Sequence, residues 1–149
     1  MNGIGMAVAS DRVESAEWLL QHGADPDLKY REVKAPAIYR ARSVEMIRLL
    51  VRYGADVNGC DINGCTALFN LYPSVLVEEI LKHGLDPNLA THNGTTAFDG
   101  ALPDRILLLL KYGGVSNHPY PQEYIQMIAS IIRLPLPTDL QREVKQMLY

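Results

Sequence analysis

A short run opening on glycine recurs four times: Gly23-Ala24-Asp25-Pro26-Asp27, Gly54-Ala55-Asp56-Val57-Asn58, Gly84-Leu85-Asp86-Pro87-Asn88 and Gly113-Gly114-Val115-Ser116-Asn117. The intervals between the leading glycines are 31, 30 and 29 residues. A period of this length marks a stack of supersecondary units, none of which buries its apolar face alone. Stacked units build a long surface for holding a partner and seldom a pocket for a reaction.

Counting back from each glycine, the positions three, four and seven residues before it form a helical stripe. They are Leu20, Leu19 and Ala16; Val51, Leu50 and Ile47; Leu81, Ile80 and Val77; and Leu110, Leu109 and Ile106. All are apolar, the spacing of one helix face, and the glycine supplies the left-handed residue that ends the helix. His22 and His83 share the slot before it, where a cation favours the helix C-terminus.

Ten residues beyond Gly54 and Gly84 comes a tight turn, Asn63-Gly64 and then Asn93-Gly94. Thr66 and Thr96 follow as expected N-caps of a new helix, and Ala35-Pro36-Ala37-Ile38 takes that register in the second unit. The expected caps of each second helix are Asp11, Ser43, Ser74 and Asp104, which lie 12, 11, 10 and 9 residues before their glycines. On those caps the first helix keeps its length and the second shortens along the stack.

A unit of helix, loop, helix and turned finger resembles the ankyrin repeat, and Gly54-Ala55-Asp56-Val57-Asn58 is close to that family's consensus. The resemblance covers residues 2–117. It implies an all-α ankyrin-repeat solenoid of stacked helix-turn-helix units with short finger turns and a helical C-terminal cap. Residues 1–117 are read as about four repeats, the first incomplete and without its finger, and residues 118–149 as a degenerate repeat or capping helices. The histidine of the family's Thr-Pro-Leu-His signature is replaced by Ile38, Phe69 and Asp99, which puts its inter-repeat hydrogen bonds in doubt.

Beyond Asn117 the period breaks. One helical stretch carries Tyr124, Ile125, Ile128 and Ile132, and a second, capped by Thr138 or Asp139, carries Leu140, Val144 and Leu148. Two readings stand. The segment covers the open end of the stack, as solenoids require. Alternatively it recruits a ubiquitin ligase as a substrate adaptor: Leu134-Pro135-Leu136-Pro137-Thr138-Asp139-Leu140 is similar to the cullin-contacting end of a SOCS box, and Leu136, Pro137, Leu140, Val144 and Leu148 are similar to the start of an F-box.

Composition narrows the function. The formal charge is −3 with acids and bases intermixed, so a nucleic-acid partner is not expected. The longest pure apolar run, residues 106–110, is too short to span a bilayer, and residues 1–10 lack the pattern of an export signal. Cys60 and Cys65 are expected as free thiols in a reducing, cytoplasmic setting. No cofactor or metal is expected, since no Cys/His group has ligand spacing. Asp25, Asp56 and Asp86 recur one per unit and are expected to bond turn amides rather than to do acid–base work. The rival from another class is a thiol-dependent enzyme using Cys60 or Cys65, with His92 as base.

The expected activity is therefore binding of another protein, as an inhibitor, neutralising partner or effector, without catalysis. The resemblance places the partner on a concave face of fingers and first helices. The finger slots are Tyr30, Arg31, Glu32 and Lys34; Ile62, Asn63 and Cys65; and His92, Asn93 and Thr95. The first-helix slots are Tyr39, Arg40, Asn70 and Tyr72. Trp18, off the apolar stripe, either covers the end of the stack or anchors a partner.

Overall fold

The computed structural model describes residues 3–29 and 34–115, with the single positions 130, 138 and 142. The expected cap, the SOCS-box and F-box similarities and the boundary at residue 117 fall outside the described residues. Among the described residues up to 115, five α-helices follow in order: α1 (Gly3–Ala9), α2 (Val13–Gln21), α3 (Val44–Arg52), α4 (Ser74–Lys82) and α5 (Pro103–Lys111). Two 3₁₀ turns, Ala37–Arg40 and Ala67–Phe69, stand where first helices were expected, and residues 97–100 make a plain turn. No β-strand forms among the described residues; Cys60 and Thr66 make one isolated bridge. Among the described residues only α1 is a full first helix. The later first helices are too short to gain from helical propagation.

The units stack in register. Helix α2 packs on α3, α3 on α4 and α4 on α5, while α1 packs on α2 and on the turn at Ala37–Arg40. The predicted stripe is the outer half of the core: Ala16, Ile47, Val77 and Ile106 are buried, as are Leu50, Ile80 and Leu109. Ile4, Val8, Ile38, Leu68 and Phe98 fill the inner half from the first-helix side. Each large side chain so buried is worth about 1.5–3 kcal/mol. Leu19 and Val51 lie only partly buried, at the edge of the stripe.

The second helices end alike. At Gly54, with φ of +85°, Gly54 N–H reaches Val51 O at 2.9 Å and Ala55 N–H reaches Leu50 O at 3.0 Å. This Schellman closure recurs after α2, α4 and α5, so the glycine punctuation works as the sequence indicates.

The helix starts correct the sequence reading. Only Ser43 caps as expected, its Oγ accepting from Met46 N–H at 3.1 Å. The N-cap residues elsewhere are Arg12, Pro73 and Leu102, with no side-chain cap bond. Pro103 starts α5, where a fixed φ suits the first turn, so Asp104 falls inside the helix. The Ser74 hydroxyl instead bridges units by donating to Asp104, and Ser43, besides capping, donates likewise to Asp11. All four second helices therefore have nine residues, and they do not shorten. The shrinking period is lost between each glycine and the next second helix. Thr66 likewise makes no cap bond, and its Oγ1 is buried without a partner.

Trp18 is 57 % exposed and stacks on His22, ring centres 3.9 Å apart.

Candidate partner-binding surface

The fingers are held from below by two sets of side chains. Asp25, Asp56 and Asp86 each accept the amide of the residue two further on, at 2.9 Å, closing the turn as expected. The last residue of each of the first three runs then reaches the next unit. Asp27 accepts from Asp56 N–H at 2.9 Å, Asn58 from Asp86 N–H at 2.8 Å and Asn88 from Val115 N–H at 2.6 Å. This ladder links all four units without the missing signature histidine. Asp99, which stands in that histidine's slot, accepts instead from the amide and hydroxyl of Thr96.

Asp61 organises the third finger. It is only 8 % exposed, and its Oδ1 accepts from Asn63 N–H at 2.8 Å and Cys65 N–H at 2.9 Å. Its Oδ2 lies 3.5 Å from the Tyr39 hydroxyl, tying the finger to the preceding unit. Asn63 O then accepts from His92 N–H of the next finger at 2.9 Å. Lys29 Nζ reaches Cys60 O at 3.3 Å, joining the second unit's finger to the third's.

Among the expected site residues, Tyr30, Arg31 and Glu32 lie outside the described residues. Ile62 stands at its turn tip 50 % exposed, and Lys34, Asn63, His92, Asn93 and Thr95 are exposed on the fingers. Cys65 is half-buried beneath its tip. Tyr39, Arg40, Asn70 and Tyr72 converge as a group. They line an open groove of about 510 Å³ together with Ala9, Ala41 and Arg42. Asn70 Nδ2 donates to Tyr39 O at 2.8 Å, and Arg42 Nη1 to Ala9 O at 3.4 Å, so neighbouring units hold the walls. Tyr72 is 79 % exposed at the rim. Asn93 and Thr95 belong to the fourth finger, away from this groove.

Sequence reasoning did not single out Arg42 and Asp61. Arg42 occupies the same slot as Tyr72, two residues before its second helix, so the repeat register held the signal. Asp61 held a signal too, since its bonds to the amides two and four residues on are the local turn bonding read at Asp25, Asp56 and Asp86; only its contact with Tyr39 depends on the neighbouring unit.

The back of the stack carries paired charges. Arg48 of α3 clasps Glu79 of α4 with Nε–Oε1 at 2.6 Å and Nη2–Oε2 at 3.2 Å, and His83 Nε2 lies 3.2 Å from the same Oε1. The hydrogen bond from Arg48 holds the Glu79 carboxyl below its ordinary range. Lys111 of α5 reaches Glu78 of α4 at 2.9 Å and lowers that carboxyl in turn.

Burial first, and then the Asp61 carboxylate, push the Cys65 thiol up, opposite to an activated nucleophile. Among the described residues no three His, Cys, Asp or Glu side chains converge as a metal site, and no helix is long and apolar enough to cross a membrane.

No protein-family model matches this chain, and no curated protein sequence does. Among solved structures it is similar to the ankyrin repeat domain of Bcl-3, described as a member of the IκB protein family, at 25 % identity and a TM-score of 0.65. The similarity covers 74 % of this chain, which spans about half (51 %) of that one.

Proposed function

We propose that this ankyrin-repeat chain works by holding another protein against its fingers and first-helix turns. A protein-interaction scaffold is what the fold supports; the place of contact is our reading. One observation carries it: Tyr72 and Ile62, two large side chains left 79 % and 50 % exposed, project from a frame locked by inter-unit bonds. A surface ordered before binding loses little entropy on contact, which favours affinity. An inhibitor, a neutralising partner and an effector all act through such a surface. The raised Cys65 thiol supports binding over thiol catalysis.

The test is a comparison of variants against the partner recovered from the native source. Ile62→Ser and Tyr72→Ala together should weaken capture on the order of ten-fold or more, as loss of two anchors does, with an unchanged unfolding midpoint. Undiminished capture by that double variant would exclude this face. The adaptor reading of residues 118–149 predicts co-purification with an elongin or cullin-associated protein that survives the same substitutions.

A further inference from the structure

We infer that the exposed face of α2, centred on Trp18, binds a second copy of this chain, the two α2 helices packing antiparallel about a two-fold axis. This surface is separate from Ile62 and Tyr72, so it goes beyond the proposed binding face and does not depend on it.

The charged pairs show which way each slot of a second helix points. The residue six before the closing glycine reaches the following unit: Arg48 pairs with Glu79, Glu78 with Lys111, and Glu17 lies 3.9 Å from Arg52. The slots five and two before the glycine therefore face the preceding unit, as Glu79, Arg52 and Lys111 do. In α2 those slots hold Trp18 and Gln21. Leu49 and Glu79, in the slot of Trp18, are buried, and so are Met46 and Leu76 in the slot of Ser15, because α3 and α4 each pack on the helix before. In α2 the whole stripe of Glu14, Ser15, Trp18, Gln21 and His22 is exposed. Met6 repeats the contrast on the first-helix side. It is 52 % exposed seven residues before α2, whereas Ala37 and Ala67, seven residues before α3 and α4, are fully buried. An indole thus stands on a helix-stacking face without the helix that covers Leu49 and Glu79.

A second copy supplies that helix. An antiparallel pair centred on Trp18 sets the indole against its own copy, Ser15 against Gln21 and Glu14 against His22. No two like charges are opposed, and each carboxylate meets an imidazole. Glu17, the other carboxylate of α2, points away toward Arg52. Trp18 is ordered beforehand: its ring stacks on His22, whose Nδ1 lies 2.7 Å from Trp18 O, so little side-chain freedom is lost on contact. A face two short helices wide, roughly 14 Å by 20 Å, is smaller than the ~800 Å² a standard interface buries per partner. The association is therefore weak and reversible, with a Kd on the order of ten micromolar. A two-fold contact uses the face up, so growth stops at the dimer.

Trp18 is the chain's only tryptophan, so its emission reports the contact directly. Sedimentation equilibrium of the full chain from about 1 µM to about 1 mM should show a monomer–dimer equilibrium. Trp18 emission should move to the blue along the same series, as the indole leaves water. Trp18→Glu should raise the Kd about thirty-fold or more, as loss of a central anchor does. Ser15→Arg, which crowds the axis with two cations, should raise it about ten-fold. Unfolding midpoints at the lowest concentration show which variants fold as the parent does, and only those are compared. Ile62→Ser with Tyr72→Ala should dimerise like the parent. A monomer throughout, growth beyond the dimer, a dimer with unshifted emission, a dimer indifferent to the α2 variants, or one lost with the Ile62 and Tyr72 pair each overturns the inference.

Discussion

Two glycines with nearly the same φ separate conformation from packing. Gly64 and Gly94 sit at corresponding finger tips with φ of +82° and +80°. A methyl at Gly94 meets nothing within 4 Å, whereas at Gly64 it would lie 2.9 Å from His92 Cδ2 and 3.0 Å from His92 N. Gly94→Ala should thus cost only the left-handed penalty, about 1–2 kcal/mol. Gly64→Ala should cost more, because the backbone of the next finger must move; urea unfolding of the two variants checks the order. Asp27 gives a second residue-level test. Burial chiefly, with Asp56 and Asp25 adding repulsion, raises its carboxyl above the ordinary 3.8 although Asp56 N–H bonds it. A raised native pKa favours the protonated form, so the penalty is absent below about pH 3.8 and sets in as pH rises through the native value. The matching slots hold Asn58 and Asn88, which keep the acceptor without the charge. Asp27→Asn should raise the thermal midpoint at pH 7, and the gain should vanish in acid.

Between elements, the clasp of Arg48 on Glu79 ties α3 to α4 across one unit boundary. Glu79 is buried and Arg48 is largely exposed, so loss of the arginine leaves a buried charge short of its main partner. Arg48→Met should therefore lower the midpoint more than Glu79→Gln does. The pH dependence follows from the sign of the shift. A depressed carboxyl contributes stability that is present above its ordinary 4.5 and is lost as pH falls through the lower native value. The gap between the parent and Glu79→Gln, read from chemical unfolding at stepped pH, should narrow below about pH 4.5. This pair was not legible in the sequence. Arg48 and Glu79 are 31 residues apart, one repeat length, but nothing in the period says that their helices present those positions to each other.

At the scale of the molecule, α1 packs on α2 and on the neighbouring 3₁₀ turn, and each later second helix packs on the next. Our reading of residues 118–149 as a cap predicts that deleting residues 119–149 lowers the unfolding midpoint sharply or makes the chain insoluble. A truncated chain as soluble and stable as the parent would refute the cap and leave the ligase-recruiting reading to test. Thiol chemistry adds a measurement on the intact chain: Cys65 should react with iodoacetamide slowly at pH 7 and faster as pH rises, because its thiolate is disfavoured.

Local physics was readable from the chain alone. The apolar stripe of the second helices, the glycine closures and the turn-bonding Asp25, Asp56 and Asp86 depend on neighbours within a few residues, and each is where the sequence puts it. Exposed tips such as Ile62 and Asn93 follow from the same turns. Helix starts were misread because Ser74 and Asp104 look like caps in isolation, yet in the stack their side chains bond each other across units. The same holds for the groove. Tyr39, Arg40, Arg42, Asn70 and Tyr72 come together only when two units stack, and only then does Asp61 meet a neighbour's Tyr39 hydroxyl. A repeat states what every unit resembles; how one unit's side chains meet the next depends on contacts about thirty residues apart, which tertiary packing alone decides.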